Sequence, residues 1–126
     1  MTAAFTHAAV LYAEQAVQCA LKGLLHGGGE GKQARGHGLV GLAERCVQVA
    51  ALALDDAQLD GLRGLARDYQ PSRYPDAWPE GSPMRHYGAT DAARSIEVAK
   101  AIVQAVEAAW DELQRAASEQ ETDGAG

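Results

Sequence analysis

Ile96-Glu97-Val98-Ala99-Lys100-Ala101-Ile102-Val103-Gln104-Ala105-Val106-Glu107-Ala108-Ala109-Trp110-Asp111-Glu112-Leu113 is the stretch that decides the fold. Ile96, Ala99, Val103, Val106, Trp110 and Leu113 recur at spacings of three and four, which is one face of an α-helix. Ile102 flanks that seam, while Glu97, Lys100, Glu107 and Glu112 fall elsewhere on the circumference. Upstream, Thr90 is the expected N-cap, with Asp91 placed against the positive end of the helix dipole. Downstream, the pattern ends near Ala117. The expected domain therefore spans residues 1–117, and residues 118–126 read as an acidic, disordered tail.

Before this helix comes Tyr69-Gln70-Pro71-Ser72-Arg73-Tyr74-Pro75-Asp76-Ala77-Trp78-Pro79, with three prolines and three aromatic rings in eleven residues. Proline lacks a backbone N–H and biases the preceding residue towards extended conformations, so a crossover is expected here rather than a helix. It continues through Gly81, Pro83 and Gly88. Further upstream the helical period returns. Asp55 and Gln58 have the spacing of a capping box, opening a helix to about Tyr69 with Leu59, Leu62 and Ala66 on its stripe. Gly61 and Gly64 weaken that helix or permit close packing. Leu39, Leu42, Cys46 and Val49 mark a helix from about Gly38 to Leu54.

The first helix is expected from about Ala3 to His26, with Val10, Ala13, Val17, Ala20 and Leu24 inward. Glu14, Gln18 and Lys22 are expected to face solvent, and the glycine run from Gly27 to Gly31 reads as a mobile loop. No strand pattern or internal repeat is visible. The chain reads as all-α, an antiparallel four- to five-helix bundle with a long proline-aromatic crossover before the last helix.

Composition agrees. Of 126 residues, 47% are hydrophobic but only 6% aromatic, so alanine and leucine supply the apolar content and favour helices. The net charge of −6 argues against general nucleic-acid or membrane-surface binding. Most of it lies from Asp111 onward, which leaves the body near neutral and able to hold a local anion pocket. No apolar run approaches the roughly 18–20 residues of a membrane span. A cytoplasmic protein with two mostly buried thiols, Cys19 and Cys46, is expected.

Several motifs fail on context. Gly36-His37-Gly38-Leu39-Val40-Gly41 matches G-x-G-x-x-G literally but lacks the preceding strand and βαβ unit. The run from Gly27 to Gln33 is one residue short of a phosphate loop and has Gln33 where Ser or Thr is needed. His7, His26, His37 and His86 have no metal-ligand spacing, so no metal and no cofactor is expected. A helix N-terminus at His37, Gly38 and Leu39 still offers free N–H groups to an anion.

Three stretches, in order, carry a family resemblance. Glu14-Gln15-Ala16-Val17-Gln18-Cys19-Ala20-Leu21-Lys22-Gly23-Leu24-Leu25 resembles the first helix of HEPN domains, with Gly23 where alanine is usual. Gly36-His37-Gly38-Leu39 resembles the opening of their second helix, and Arg73-Tyr74-Pro75-Asp76 is similar to their R-Y-P-D crossover. The resemblance covers about Phe5 to Leu113. It implies a homodimeric bundle that binds nucleotides or RNA and works beside a small nucleotidyltransferase in a toxin–antitoxin-like pair.

The ribonuclease branch of the family carries an arginine and a histidine four to six residues apart. Here one residue separates Arg35 from His37, none separates Arg85 from His86, and twelve separate Arg73 from His86. No catalytic residue is therefore expected, and the resemblance points to the binding branch. Its nucleotide-binding candidates are Arg73, Tyr74, Asp76, His37, Lys22 and Tyr69. A guanidinium at Arg73 fits phosphate, and Tyr74 and Tyr69 can stack a base. Asp76 can position a sugar hydroxyl, His37 can contact ligand, and Lys22 favours the negative end of the first helix. The alternatives are an interaction bundle whose R-Y-P-D loop is architecture, and a divergent ribonuclease joining Arg73 to His86.

Overall fold

The computed structural model describes residues 3–34, 38–73 and 89–125. Four α-helices and one short 3₁₀ turn make up most of them: α1 (Ala3–Gly27), the turn Gly31–Ala34, α2 (Leu39–Val49), α3 (Asp56–Arg73) and α4 (Ala89–Ala125). Among the described residues there is no strand. The fold is the all-α bundle that the helical period predicts.

Helix α1 packs against all three others, most extensively against α4. Its inward stripe is Val10, Ala13, Val17, Leu21, Leu24 and Leu25, all buried. Burying a large aliphatic side chain contributes about 1.5–3 kcal/mol, so this stripe is a major source of stability. Glu14 departs from expectation. It is only 3% exposed, because it lies four residues after Val10 and three before Val17, on the stripe itself. Ala20 is half-buried, as are Gln18 and Lys22.

The end of α1 is a hydrogen-bonded cap rather than an open loop. Gly29 takes the left-handed conformation (φ 81°), its N–H donates to the His26 carbonyl at 3.1 Å, and the Glu30 N–H donates to that of Leu25 at 2.8 Å. These are the two bonds of a Schellman motif, which satisfy carbonyls the helix leaves without partners. The indole of Trp110 on α4 covers Gly27 so closely that a Cβ there would overlap the ring.

Helix α2 is shorter than the pattern predicts, stopping at Val49 rather than Leu54. Ala51 turns left-handed (φ 62°), and the Leu52 N–H reaches back to the Cys46 carbonyl at 3.3 Å. Buried Leu52 anchors that turn in the core. Buried Cys46 also holds α2 to α1, its thiol donating to the Leu21 carbonyl at 3.4 Å. Cys19, expected to be buried, is exposed.

The capping box at the start of α3 is present: the Gln58 N–H donates to Asp55 Oδ1 at 2.7 Å, and the Asp55 N–H donates to Gln58 Oε1 at 2.8 Å. Among its described side chains, Leu62 and Leu65 are buried. At Gly61 a Cβ would lie 2.9 Å from Val98 Cγ2, so the absence of a side chain lets α3 and α4 approach closely. Contrary to expectation, α3 continues through Tyr69 and Pro71 to Arg73. The fixed φ of proline is compatible with a helix, but Pro71 cannot donate to the Arg67 carbonyl and its ring crowds that group; the helix ends two residues later.

Neighbouring groups fix the directions. Glu14 and Gln18 lie by Gly38–Gly41, Leu21 by Cys46, and Gly28 by Ala50, so α2 runs in the same sense as α1. Helix α3 runs the other way, bringing Ala66 and Arg67 back to Glu14 and Gln18. The antiparallel relation is thus that of α3 to its neighbours.

Helix α4 begins at Ala89, which places Thr90 inside the first turn rather than at the cap, and Asp91 lies in that turn as expected. Its buried line is Ala92, Ser95, Ala99, Ile102, Val106 and Ala109. Ile102 is therefore at the centre of the core, whereas Ile96, expected on the seam, is 36% exposed at its edge. The helix continues past Ala117 to Ala125, its last turns carrying ion pairs of Arg115 with Glu112 and Glu119.

Candidate functional site

The residues that carry the two N-terminal motifs meet in space. A cleft of about 450 Å³ is lined by Glu14 and Gln18 of α1, by Gly38, Leu39, Val40 and Gly41 at the start of α2, and by Ala66 and Arg67 of α3. Roughly twenty residues of sequence separate the first two groups, and the common direction of α1 and α2 sets them side by side. The turn of α3 back along the bundle supplies the third wall.

Each wall offers a distinct chemistry. Gly38 is the N-cap of α2, extended (φ −71°, ψ 176°) and without a side-chain cap hydrogen bond. The first helical bond of α2 runs from the Leu42 N–H to the Gly38 carbonyl at 2.9 Å. The N–H groups of Leu39, Val40 and Gly41 thus precede the helix's own ladder and form an anion-attracting terminus. Glu14 sets a buried carboxylate beside it, with the Gln15 side chain 3.4 Å from Glu14 Oε2. Exposed Arg67 also lines the cleft, with its guanidinium lying back beside Gly64 on α3. The cleft therefore combines an anion site with a buried hydrogen-bond acceptor.

Of the residues singled out from sequence, His37, Tyr74 and Asp76 lie outside the described residues. His37 directly precedes the N-cap Gly38. Tyr69 and Arg73 lie on the last turns of α3, two and six residues beyond Arg67. At 1.5 Å per residue, Arg73 is about 9 Å of helix past the cleft rim. Lys22 is one turn along α1 from Gln18 and does not line the cleft. Sequence reasoning missed Glu14, Gln18 and Arg67. For Glu14 a signal existed, an acid occupying an apolar-stripe position; Arg67 has no such mark.

Comparison with protein-family models matches the HEPN domain over residues 1–109. The chain belongs to the HEPN domain family. That span takes in α1, α2, α3 and most of α4, and so every wall of the cleft. No curated protein and no solved structure matches the chain. Among the described residues of this HEPN domain, no group of His, Cys, Asp or Glu is arranged to hold a metal, and no helix is long and apolar enough to cross a membrane.

Proposed function

We propose that this HEPN domain is a non-catalytic nucleotide- or RNA-binding module, with its site in the cleft where α1, α2 and α3 meet. The observation that carries the reading is the cleft itself, which unites a helix N-terminus, a buried carboxylate and an arginine drawn from three elements. A nucleotide presents the complementary groups. Its phosphate suits the α2 terminus and the guanidinium, and its sugar hydroxyls or base N–H groups suit Glu14. Arg73, Tyr69, Tyr74, Asp76 and His37 flank this cleft in sequence and complete the proposed site; Lys22 contributes only through the charge at the end of α1. Family membership supports the ligand class, and the absence of the arginine–histidine spacing supports binding rather than cleavage.

The same reading takes the protein as a cytoplasmic homodimer that works beside a small nucleotidyltransferase in a toxin–antitoxin-like pair. It keeps residues 1–117 as the functional domain, with the acidic segment after it outside the site.

A thermal-shift screen against nucleotides and short RNAs, with Arg67→Ala and Arg73→Ala in parallel, tests the site. A ligand at about 100 times its Kd adds roughly 2.7 kcal/mol to stability, a rise of several degrees in Tm. The expected result is a shift in the wild type that both variants lose while keeping their own Tm. No shift with any nucleotide or RNA would overturn the reading in favour of an interaction bundle whose crossover is architecture.

A further inference from the structure

On the side of α1 away from the cleft, α1 and α4 leave an open apolar groove of about 850 Å³. Tyr12 stands on its rim 73% exposed, and Ile96 is the exposed apolar residue of the α4 wall. Among the described residues, the charged ones lining the groove are Lys100 and Glu107, both on α4. They are seven residues apart, which is two turns or about 10.5 Å along the axis, with only about 20° of drift around it. Opposite charges thus stand on one face, equidistant from a midpoint between Val103 and Gln104.

We propose that a second copy of this chain covers the groove about a twofold axis through that midpoint, with the two α4 helices antiparallel and Lys100 facing the partner's Glu107. The inference deepens the homodimer reading above by assigning its surface and register. In an isologous interface residue i meets residue j and j meets i, so a patch must be complementary to itself under a half-turn. A lysine and a glutamate placed symmetrically about an apolar centre satisfy that condition in antiparallel register, giving two ion pairs. In parallel register each would meet its own kind. Among the described residues the ion pair of Lys100 is with Glu97, 3.8 Å away and exposed, which leaves its charge accessible to a partner. Tyr12, on the rim, adds a large exposed amphipathic side chain for the partner to cover.

Charge reversal tests the register. Lys100→Glu, Glu107→Lys and the double reversal are compared with wild type by light scattering and sedimentation over a concentration series, with circular dichroism confirming the helix content of each. Both changes are at exposed positions and should leave the fold intact. The wild type is expected to be dimeric at micromolar concentration. Each single reversal should raise the dimer Kd at least about tenfold, since it sets two pairs of like charges against each other. The double reversal should return it to within about threefold of wild type. As a second readout, Gln104→Cys in a Cys19→Ser background should oxidise to a covalent dimer, because a residue beside the axis meets its own copy within disulfide reach.

A monomeric wild type would overturn both the dimer and its register. A dimer that Tyr12→Glu dissociates, but that ignores the charge reversals and forms no Gln104→Cys cross-link, would overturn the register and leave the homodimer standing.

Discussion

Glycine-to-alanine substitution should change sign from place to place in this protein, and the structure says where. At Gly23, in the second-last turn of α1, a Cβ would meet nothing within 4 Å. Alanine there gains only helix propensity, about 0.8–1.0 kcal/mol. For 126 residues the unfolding entropy near Tm is about 0.26 kcal/mol/K, so Gly23→Ala should raise Tm by about 3–4 °C. At Gly61 the same propensity gain is opposed by the contact with Val98 Cγ2 at 2.9 Å. Overpacking costs about 1–3 kcal/mol, so the net change should be a loss of up to about 2 kcal/mol. At Gly27 the new methyl would fall inside the Trp110 ring, which must move together with the α1–α4 contact. There the loss should be the largest of the series. At Gly29 there is room, but φ is 81°, and holding alanine left-handed costs about 1–2 kcal/mol. Urea denaturation followed at 222 nm, at one protein concentration so that any association is held constant, gives the four values. A destabilising Gly23→Ala, or a neutral Gly27→Ala, would refute the packing described for α1.

Three further outcomes are expected. Asp55→Ala should cost about 1 kcal/mol in the same assay by breaking the reciprocal cap of α3; an unchanged midpoint would show that the cap contributes nothing. Under native conditions at pH 8 a thiol reagent should modify Cys19 alone, with Cys46 reacting only after denaturation, because burial pushes the Cys46 thiol from 9.0 up to about 11. The unfolded thiol ionises first, so this contribution to stability is complete below pH 9 and lost as pH rises towards 11. Cys46→Ala should lack that part of the alkaline decline, and an identical decline would refute it. Glu14→Ala should destabilise by about 1–3 kcal/mol, since it removes a buried acceptor from its partners, and it should also weaken any nucleotide-induced shift. A variant as stable as wild type would mean that the carboxylate is not held as described.

What was legible in the sequence was periodicity and local chemistry. The stripe of α1, the period of α4 and the Asp55–Gln58 box each depend on residues within a turn or two of one another. The departures involve packing between elements. Ile96 and Ile102 both fit an apolar α4, and only the position of α1 puts Ile102 at the centre and Ile96 on the groove. Pro71 reads as a helix breaker, yet α3 runs through it and ends only two residues later, at Arg73. The glycine run after α1 reads as freedom, but one left-handed residue within it, Gly29, closes a cap. Of the cleft, sequence marked the terminus at Gly38 through its motif. Arg67 could not be marked, since only the course of α3 beside α1 brings it there.

Glu14 ties these observations together. A carboxylate on an otherwise apolar stripe is a poor choice for stability alone, because burying a charge is costly unless it is paired or hydrogen-bonded. Leucine at that position would extend the run from Val10 to Leu24 without a break. The acid is placed where the start of α2 comes within reach, and there the helix dipole lowers the cost of a negative charge. That arrangement needs α2 to run parallel to α1, since an antiparallel α2 would present its negative C-terminal end to Glu14 instead. Glu14 on the stripe and the parallel course of α2 therefore go together. On the opposite side of the same α1 segment, Ala9, Tyr12, Ala13 and Ala16 line the apolar groove. Under the proposed reading, one stretch of helix separates ligand from partner, so a change that tilts α1 at one surface should be felt at the other.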